Sequence, residues 1–355
     1  MRLLVLGGGQ LALMMCWAAS RLPLRFVVYE KDPHAPAFRC AERAADPFKA
    51  VDVAEYVTFE FENIDLEVAQ YAHRQGKLRP HIDYLLLKKN RITEREALRS
   101  LGVPTPRWTV AKNAEEALEA ARKFGRAVAK RPAGGYDGKG QYILPRETPE
   151  GGPLLVEEYV EIKREFSILA ARAENGDIYF YPPAENYYID GILLWNHAPT
   201  EAPPEAYKHV EKILEWRKYV GVLAVEFFED KEGRVVVNEI APRVHNTGHW
   251  TLETDASQFE NHVRTVMNLP IKKPQAIAPT AMVNILGIAT PPLKELEQYG
   301  KVYWYGKTEA RPRRKMGHVN VTAPTVDQAK TKARQIIQLL YGRNFPQLVM
   351  KPKSA

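Results

Sequence analysis

The opening of the chain leaves few architectures available to it. Arg2–Leu6 is an apolar run cut off by Gly7, Gly8, Gly9 and Gln10; a helical segment continues through Ser20, and residues 25–30 (RFVVYE) resume as a strand with a charged end. Strand, crossover helix and strand make a βαβ unit, which requires a parallel sheet covered by helices. The alternation of residues 57–63 (VTFEFEN) predicts a third strand and residues 66–76 a further helix, so the parallel α/β pattern continues.

A length of 355 residues suits two or three domains. Hydrophobic residues at 45% and charged residues at 26% describe a folded globular chain and exclude disordered, collagenous and coiled-coil classes. The net charge of +7 points to nucleic acid or anionic small molecules as partners. Cys16 and Cys40 are the only cysteines, too few for a disulfide framework and in neither CxxC nor zinc spacing, which predicts a reducing cytoplasm. Residues 1–20 have the basic start and Ala-Ala-Ser ending of a secretory signal, but residues 7–10 interrupt the apolar run. No later stretch reaches the roughly 18 apolar residues of a membrane span.

Residues 88–102 read as one charged helix closed by Gly102 and followed by the stiff link VPTP, placing a first boundary near residue 92. The middle, 93–272, reads as α+β, with helices over 114–124 and 204–219. Its strands fall near 126–131, 141–144, 154–160, 165–172 and 178–181, with a hairpin over 223–228 and 234–240. KKPQAIAP (272–279) is a linker, and 273–355 a small strand-rich part whose closing helix, 326–340, sets Ala329, Ala333, Ile336, Ile337 and Leu340 on one face.

Gly7 to Ala12 fit G-x-G-x-x-A, with Glu30 ending the second strand, as in a dinucleotide fingerprint; another anion or a plain tight turn uses the same glycines. Thr58, Glu60 and Glu62 share a strand face, either presented to a ligand or solvated. From Lys130 to Gln141 the chain packs Gly134, Gly135, Gly138 and Gly140 around Tyr136, Asp137 and Lys139. The spacing is not that of a Walker A loop, but a glycine-rich hairpin can fold over a triphosphate with N–H groups and a lysine. Glu157, Glu158, Tyr159, Val160 and Glu165 follow, placed for a nucleotide's base and ribose or for a charged hairpin alone.

The strongest constellation is the last hairpin, where a turn near Lys231 and Glu232 sets Glu226 opposite Glu239. Facing carboxylates repel, and a divalent cation relieves that; with Asn238 the oxygen donors select magnesium or manganese over zinc. A salt-bridge network is the alternative. Arg243 and His245 leave the same strand, suited to an oxyanion and a proton. Lys307 and residues 311–315 (RPRRK) beside Tyr303, Trp304 and Tyr305 suit nucleic acid or a phosphomonoester pocket, and the shortness of the patch favours the pocket.

GGGQL, TFEFEN, GGYDGKGQ, EEYV with KREFSIL, ENYYIDGIL and NEIAPRVHNTGHWTLE together resemble the carboxyaminoimidazole ribonucleotide synthases, ATP-dependent carboxylases of purine biosynthesis in the ATP-grasp superfamily. The resemblance covers nearly the whole chain and implies a Rossmann-like N-terminal domain (1–92), an ATP-grasp domain (93–272) and a small C-terminal domain (273–355), commonly in a cytoplasmic homodimer. It implies small-molecule substrates, with no nucleic acid and no membrane. Bicarbonate and ATP would give carboxyphosphate, whose carboxyl group passes to the amine of aminoimidazole ribonucleotide. By motif, Arg91, Lys130, Gly135 to Gln141, Glu157 to Val160, Glu165, Tyr188 and Asn238 would hold ATP, and Glu226 and Glu239 magnesium. Tyr136, Asp137, Lys307 and Arg314 would hold the ribonucleotide, with Arg243, His245 and Lys307 steadying carboxyphosphate.

The chain departs from the family at Leu11 to Met14, where GGGQLGRM is usual, at Tyr188 in place of a frequent His, at residues 90–95 (NRITER for DRLTEK), and at Arg313 in place of a glycine. Two other classes stay open: another ATP-grasp ligase, such as the formate-dependent glycinamide ribonucleotide transformylase, or a non-ligase protein binding NAD or nucleic acid. Tyr136-Asp137 favours the carboxylase, since the transformylase usually carries serines there.

Overall fold

The computed structural model describes residues 1–134, 140–149, 151–274 and 277–350. Strands β1 (Arg2–Leu6), β2 (Arg25–Tyr29), β3 (Glu42–Arg43) and β4 (Tyr56–Phe59) form a parallel sheet in the order β3-β2-β1-β4. Both faces of β1 are buried: Leu3 and Val5 pack with Met14 and Met15 of the helix Gln10–Ala19, and Leu4 and Leu6 with Val57 and Phe59.

The third strand is shorter than its alternation predicts, and a carboxylate explains why. β4 stops at Phe59, and Glu60 turns back into the glycine loop, accepting hydrogen bonds from Gly9 N at 2.7 Å and Ala12 N at 3.2 Å. Gly8 N donates to Glu30 at 3.2 Å. A Cβ on Gly9 would lie 2.6 Å from the Glu60 carboxylate, so the glycine is needed for the chain's own acid. The N–H groups at this helix N-terminus are thereby occupied by Glu60 and Glu30 in place of a pyrophosphate, which overturns the dinucleotide reading.

Cys16 and Cys40, too few for a disulfide framework, nonetheless form one disulfide, with a Cα separation of 6.1 Å. It ties the helix Gln10–Ala19 to the 3₁₀ turn Pro36–Arg39, whose Arg39 donates to the Trp304 carbonyl at 3.1 Å. Cross-linking positions 24 residues apart removes unfolded-chain entropy worth about 3 kcal/mol. Cys16→Ala/Cys40→Ala should lower the urea midpoint correspondingly, as should reductant on the unmodified protein; unchanged midpoints would show the cross-link is energetically idle.

The single helix expected over residues 88–102 is two, Ile82–Lys88 and Arg91–Ser100, because Asn90 caps the second by accepting from Ile92 N at 2.9 Å. Beyond it, β5 (Trp108–Ala111), β6 (Ala127–Lys130), β7 (Gln141–Leu144) and β8 (Leu154–Glu158) make an antiparallel sheet, β5-β8-β6-β7, covered by the helix Ala114–Phe124. β6 and β7 pair with Lys130 opposite Gln141, flanking the glycine-rich segment.

The remaining strands share one sheet: β9 (Ile162–Arg172), β10 (Ile178–Phe180), β11 (Ala184–Ile189), β12 (Ile192–Ala198), β13 (Gly221–Asp230), β14 (Val235–Ala241), β15 (Thr280–Leu286), β16 (Lys301–Trp304) and β17 (Lys315–Thr322). Their order is β14-β13-β9-β11-β12-β15-β17-β16, with β10 paired to β9. β12 pairs antiparallel with β15, so the C-terminal part extends the central sheet across the linker. The helix Val326–Tyr341 packs there through Ala329, Ala333, Ile336 and Leu340.

Candidate active site

Antiparallel pairing of β13 and β14 makes Glu226 and Glu239 register partners. Glu165 enters from β9, opposite Phe228, and the Tyr188 hydroxyl of β11 donates to Glu226 at 2.6 Å. Burial pushes the Glu165 carboxyl up to about 8, and Glu226 adds to the shift. Glu226 is also raised, by burial and then by Glu239. Glu239 moves the other way: burial opposes ionisation, but the cations Lys88, Arg91 and Arg243 outweigh it and hold the carboxylate charged. Lys88 Nζ lies 3.4 Å from Glu239 and 2.9 Å from Glu94.

Among the described residues no three His, Cys, Asp or Glu side chains form a protein-only metal cage. Magnesium does not need one, since it is held by one or two carboxylates together with substrate phosphates and water. The mutual repulsion of Glu226 and Glu239 and their hard oxygen donors fit such an ion.

Toward the smaller sheet, Lys130 of β6 forms an ion pair with Glu157 of β8, which also pairs with Arg95. Burial raises the Glu157 carboxyl, but Arg95 and Lys130 together take it down to about 2. Arg91 donates to the Arg131 carbonyl at 2.8 Å, and Arg95 to the Asn238 carbonyl at 2.6 Å, so one helix face joins the strand before the glycine-rich segment to the β13–β14 hairpin. The Glu158 side chain is engaged elsewhere, by Arg107 at 2.6 Å and Arg234 at 2.7 Å. Tyr159 lies under the Arg126 guanidinium at 3.8 Å, Val160 is buried, and Gly140 takes a φ of +67° before the exposed Gln141. Gly135, Tyr136, Asp137, Gly138 and Lys139 lie outside the described residues.

Arg243 leaves β14 to pair with Glu62 at 3.0 Å, and its guanidinium sits 5.4 Å from the centre of the Phe61 ring. Glu60 and Glu62 thus have separate partners inside the protein rather than a shared solvent-facing pleat. His245 Nδ1 lies 3.0 Å from the Thr247 hydroxyl and 3.4 Å from Thr247 N. Burial and then Arg243 drive the imidazole well below its usual pKa, so it is neutral near pH 7. Lys307 Nζ donates to the Lys315 carbonyl at 2.7 Å, and burial, then Arg314 and Lys315, lower it to about 7. Arg314 donates to the Glu309 carbonyl at 2.9 Å.

The aromatic residues beside this patch turn inward. The Tyr303 hydroxyl donates to Glu253 at 2.7 Å, and Tyr305 is buried with its hydroxyl 2.7 Å from His318 Nδ1. Arg313 is held by the Val349 and Asp190 carbonyls at 2.7 and 3.0 Å. Tyr303 and Tyr305 are therefore not stacking platforms for bases.

Sequence reasoning missed Lys88, Glu94 and Arg95 at this site. The signal was available in the capping pattern of residues 88–95, where Asn90 breaks the helix and turns Lys88 and Glu94 toward β14.

Residues 96–259 match the ATP-grasp domain, residues 280–332 the phosphoribosylaminoimidazole carboxylase C-terminal domain, and residues 1–88 the ribonucleotide synthetase preATP-grasp domain. The N5-carboxyaminoimidazole ribonucleotide synthase of Saccharolobus solfataricus is 42% identical, covering 95% of each chain. The phosphoribosylaminoimidazole carboxylase ATPase subunit of Aquifex aeolicus has a solved structure with a TM-score of 0.83 at 36% identity, covering 96% of this chain and 100% of that one. An Aspergillus clavatus N5-carboxyaminoimidazole synthase, solved with ADP and 5-aminoimidazole ribonucleotide, aligns with a TM-score of 0.84 at 26% identity over 96% of this chain and 98% of its own. By its domain matches and its identity to these relatives over nearly the whole chain, the protein belongs to the N5-carboxyaminoimidazole ribonucleotide synthase family of ATP-grasp enzymes.

Proposed function

We infer that the protein is the ATP-dependent carbon-nitrogen ligase that carboxylates the exocyclic amine of 5-aminoimidazole ribonucleotide in purine biosynthesis, using bicarbonate. The observation that carries this reading is the register pair Glu226 and Glu239, with Arg243 and His245 close to Glu239 and with Arg243 and Lys307 both close to Glu60. Bicarbonate oxygen attacks the γ-phosphorus of ATP, the bond to the bridging oxygen breaks, and ADP leaves with carboxyphosphate as the other product. The amine then takes the carboxyl carbon, phosphate departs, and the amine proton is lost.

Each group has a part that its surroundings support. Lys130 and Arg91 face nucleotide phosphates, with Glu157, Tyr159, Val160, Glu165, Tyr188, Asn238 and the glycine loop as further contacts. Glu226 and Glu239 would hold magnesium or manganese, which supplies charge neutralisation at the transferring phosphoryl group. Arg243 provides a fixed cation for carboxyphosphate, and the neutral His245 offers a ring N–H to a phosphoryl or carboxyl oxygen. Lys307 and Arg314 receive the ribonucleotide phosphate, while Tyr136 and Asp137 meet the ribonucleotide itself.

We divide the chain at 92 and 272 because the chain passes between sheets near the first position and through a linker after the second. A homodimer in the cytoplasm completes the proposal. The disulfide removes the argument from free thiols without excluding that compartment, since intracellular hyperthermophile proteins also carry disulfides. No described helix is long and apolar enough to cross a membrane.

The test measures ADP release with magnesium, ATP and bicarbonate, with and without aminoimidazole ribonucleotide, beside a mixture of glycinamide ribonucleotide and formate. Stimulation by the first acceptor alone, with loss of its free amine, is expected. Stimulation by the second alone would overturn the substrate assignment.

A further inference from the structure

Lys88 is a buried ammonium that no step above uses. It ends the helix Ile82–Lys88 in the N-terminal part of the chain, yet its side chain, 9% exposed, reaches across to the metal hairpin. One partner is Glu94 at 2.9 Å, itself only 5% exposed, whose other oxygen accepts from Ile240 N at 3.0 Å. The second partner is Glu239, at 3.4 Å, with 47% of its side chain open to the cleft.

The two contacts have different physical standing. A buried ammonium must be paired, and Glu94 does that by itself while anchoring β14 through the residue next to Glu239. The contact with Glu239 places a permanent positive charge against a carboxylate that also faces Glu226. In the absence of ligands this charge offsets the repulsion between the hairpin acids. A divalent ion arriving alone at Glu239 meets that same charge at short range and is repelled. An ion arriving with a triphosphate brings compensating negative charge.

We propose that Lys88 is a positioning residue that stands in for the divalent ion on Glu239, keeping the empty hairpin assembled and making metal entry dependent on nucleotide. The proposal rests on Glu226 and Glu239 being metal carboxylates. It assigns the metal site a component from the N-terminal domain.

The experiment uses the full chain as wild type, Lys88→Met, Lys88→Gln and Glu239→Gln. Manganese binding is followed by electron paramagnetic resonance with and without ATP, and thermal midpoints are taken in EDTA and in excess magnesium. Without nucleotide, Lys88→Met should bind manganese about tenfold more tightly than wild type, because one positive charge beside the ion is gone. Its midpoint should fall in EDTA and recover in magnesium, since an ion that binds only the folded state stabilises by mass action. Lys88→Gln keeps a hydrogen-bond donor for Glu94 and should show the same gain in affinity if Lys88→Met does not fold.

Equal manganese affinity in wild type and both Lys88 variants, or an equal loss of midpoint in EDTA and magnesium, would reduce Lys88 to a structural ion pair and overturn the proposal. In that case nucleotide-dependent manganese binding by wild type, absent in Glu239→Gln, would leave the metal assignment standing. No manganese binding by wild type even with ATP would overturn both.

Discussion

Glu239→Gln should reduce ATP-dependent ADP release by about 10³-fold or more, equivalent to roughly 4 kcal/mol of transition-state stabilisation. The amide has nearly the size of the carboxylate, so the β13–β14 register and the Lys88–Glu94 pair should persist and the circular dichroism spectrum should not change. What disappears is a full negative charge at a group that Lys88, Arg91 and Arg243 together keep ionised against burial. Glu226 cannot take over by itself, because burial favours its protonated form in the absence of a cation. ADP release measured against magnesium concentration checks this. Full turnover at ordinary magnesium would remove Glu239 from the site.

Lys307→Ala should raise the apparent KM for aminoimidazole ribonucleotide about 100-fold, the loss expected when a buried charge-assisted contact to phosphate is removed at roughly 3 kcal/mol. The unmodified enzyme should show the same residue in its pH profile. Lys307 is held at about 7 by burial and by Arg314 and Lys315, so it carries its charge below that pH and loses it above. The substrate phosphate reaches its dianionic form near pH 6. kcat/KM for the ribonucleotide should therefore peak between about 6 and 7 and fall on the alkaline side. Lys307→Arg should abolish that alkaline fall, since a guanidinium stays protonated throughout. Stability should respond with the opposite slope. The unfolded chain keeps the lysine proton into the ordinary lysine range while the folded one releases it near 7, so this residue makes the fold more stable as pH rises above 7. A flat kinetic profile to pH 9 would exclude Lys307 from phosphate binding.

The parts of this site visible in the sequence are those fixed by short-range geometry. A hairpin with a defined turn determines which residues face each other, so Glu226 and Glu239 could be paired by counting. The βαβ opening and the glycine-rich hairpin were legible for the same reason. Glu60 was not, because its role depends on N–H groups 51 and 48 positions away, and alternation alone makes it look like one more strand residue. β11 and β12 were missed because β12 is buried along all seven residues and carries Asn196 and His197 inside, giving neither alternation nor a plain apolar run. The Cys16–Cys40 pairing likewise requires knowing that the 3₁₀ turn folds over the first helix.

The continuous sheet has a bearing on how such chains can be recombined. A C-terminal segment joined only by the linker could be exchanged between relatives as a cassette, but here β12 depends on β15 for its outer neighbour. Cutting after the linker would leave a fully buried strand as a raw edge, the kind of surface that recruits other chains and aggregates. A graft from a relative would have to restore the pairing of Trp195 with Val283 and of His197 with Ala281 before the sheet could close. The β13–β14 hairpin and the C-terminal strands are thus inherited together, as one woven piece, whereas the β3-β2-β1-β4 and β5-β8-β6-β7 sheets each close on their own strands.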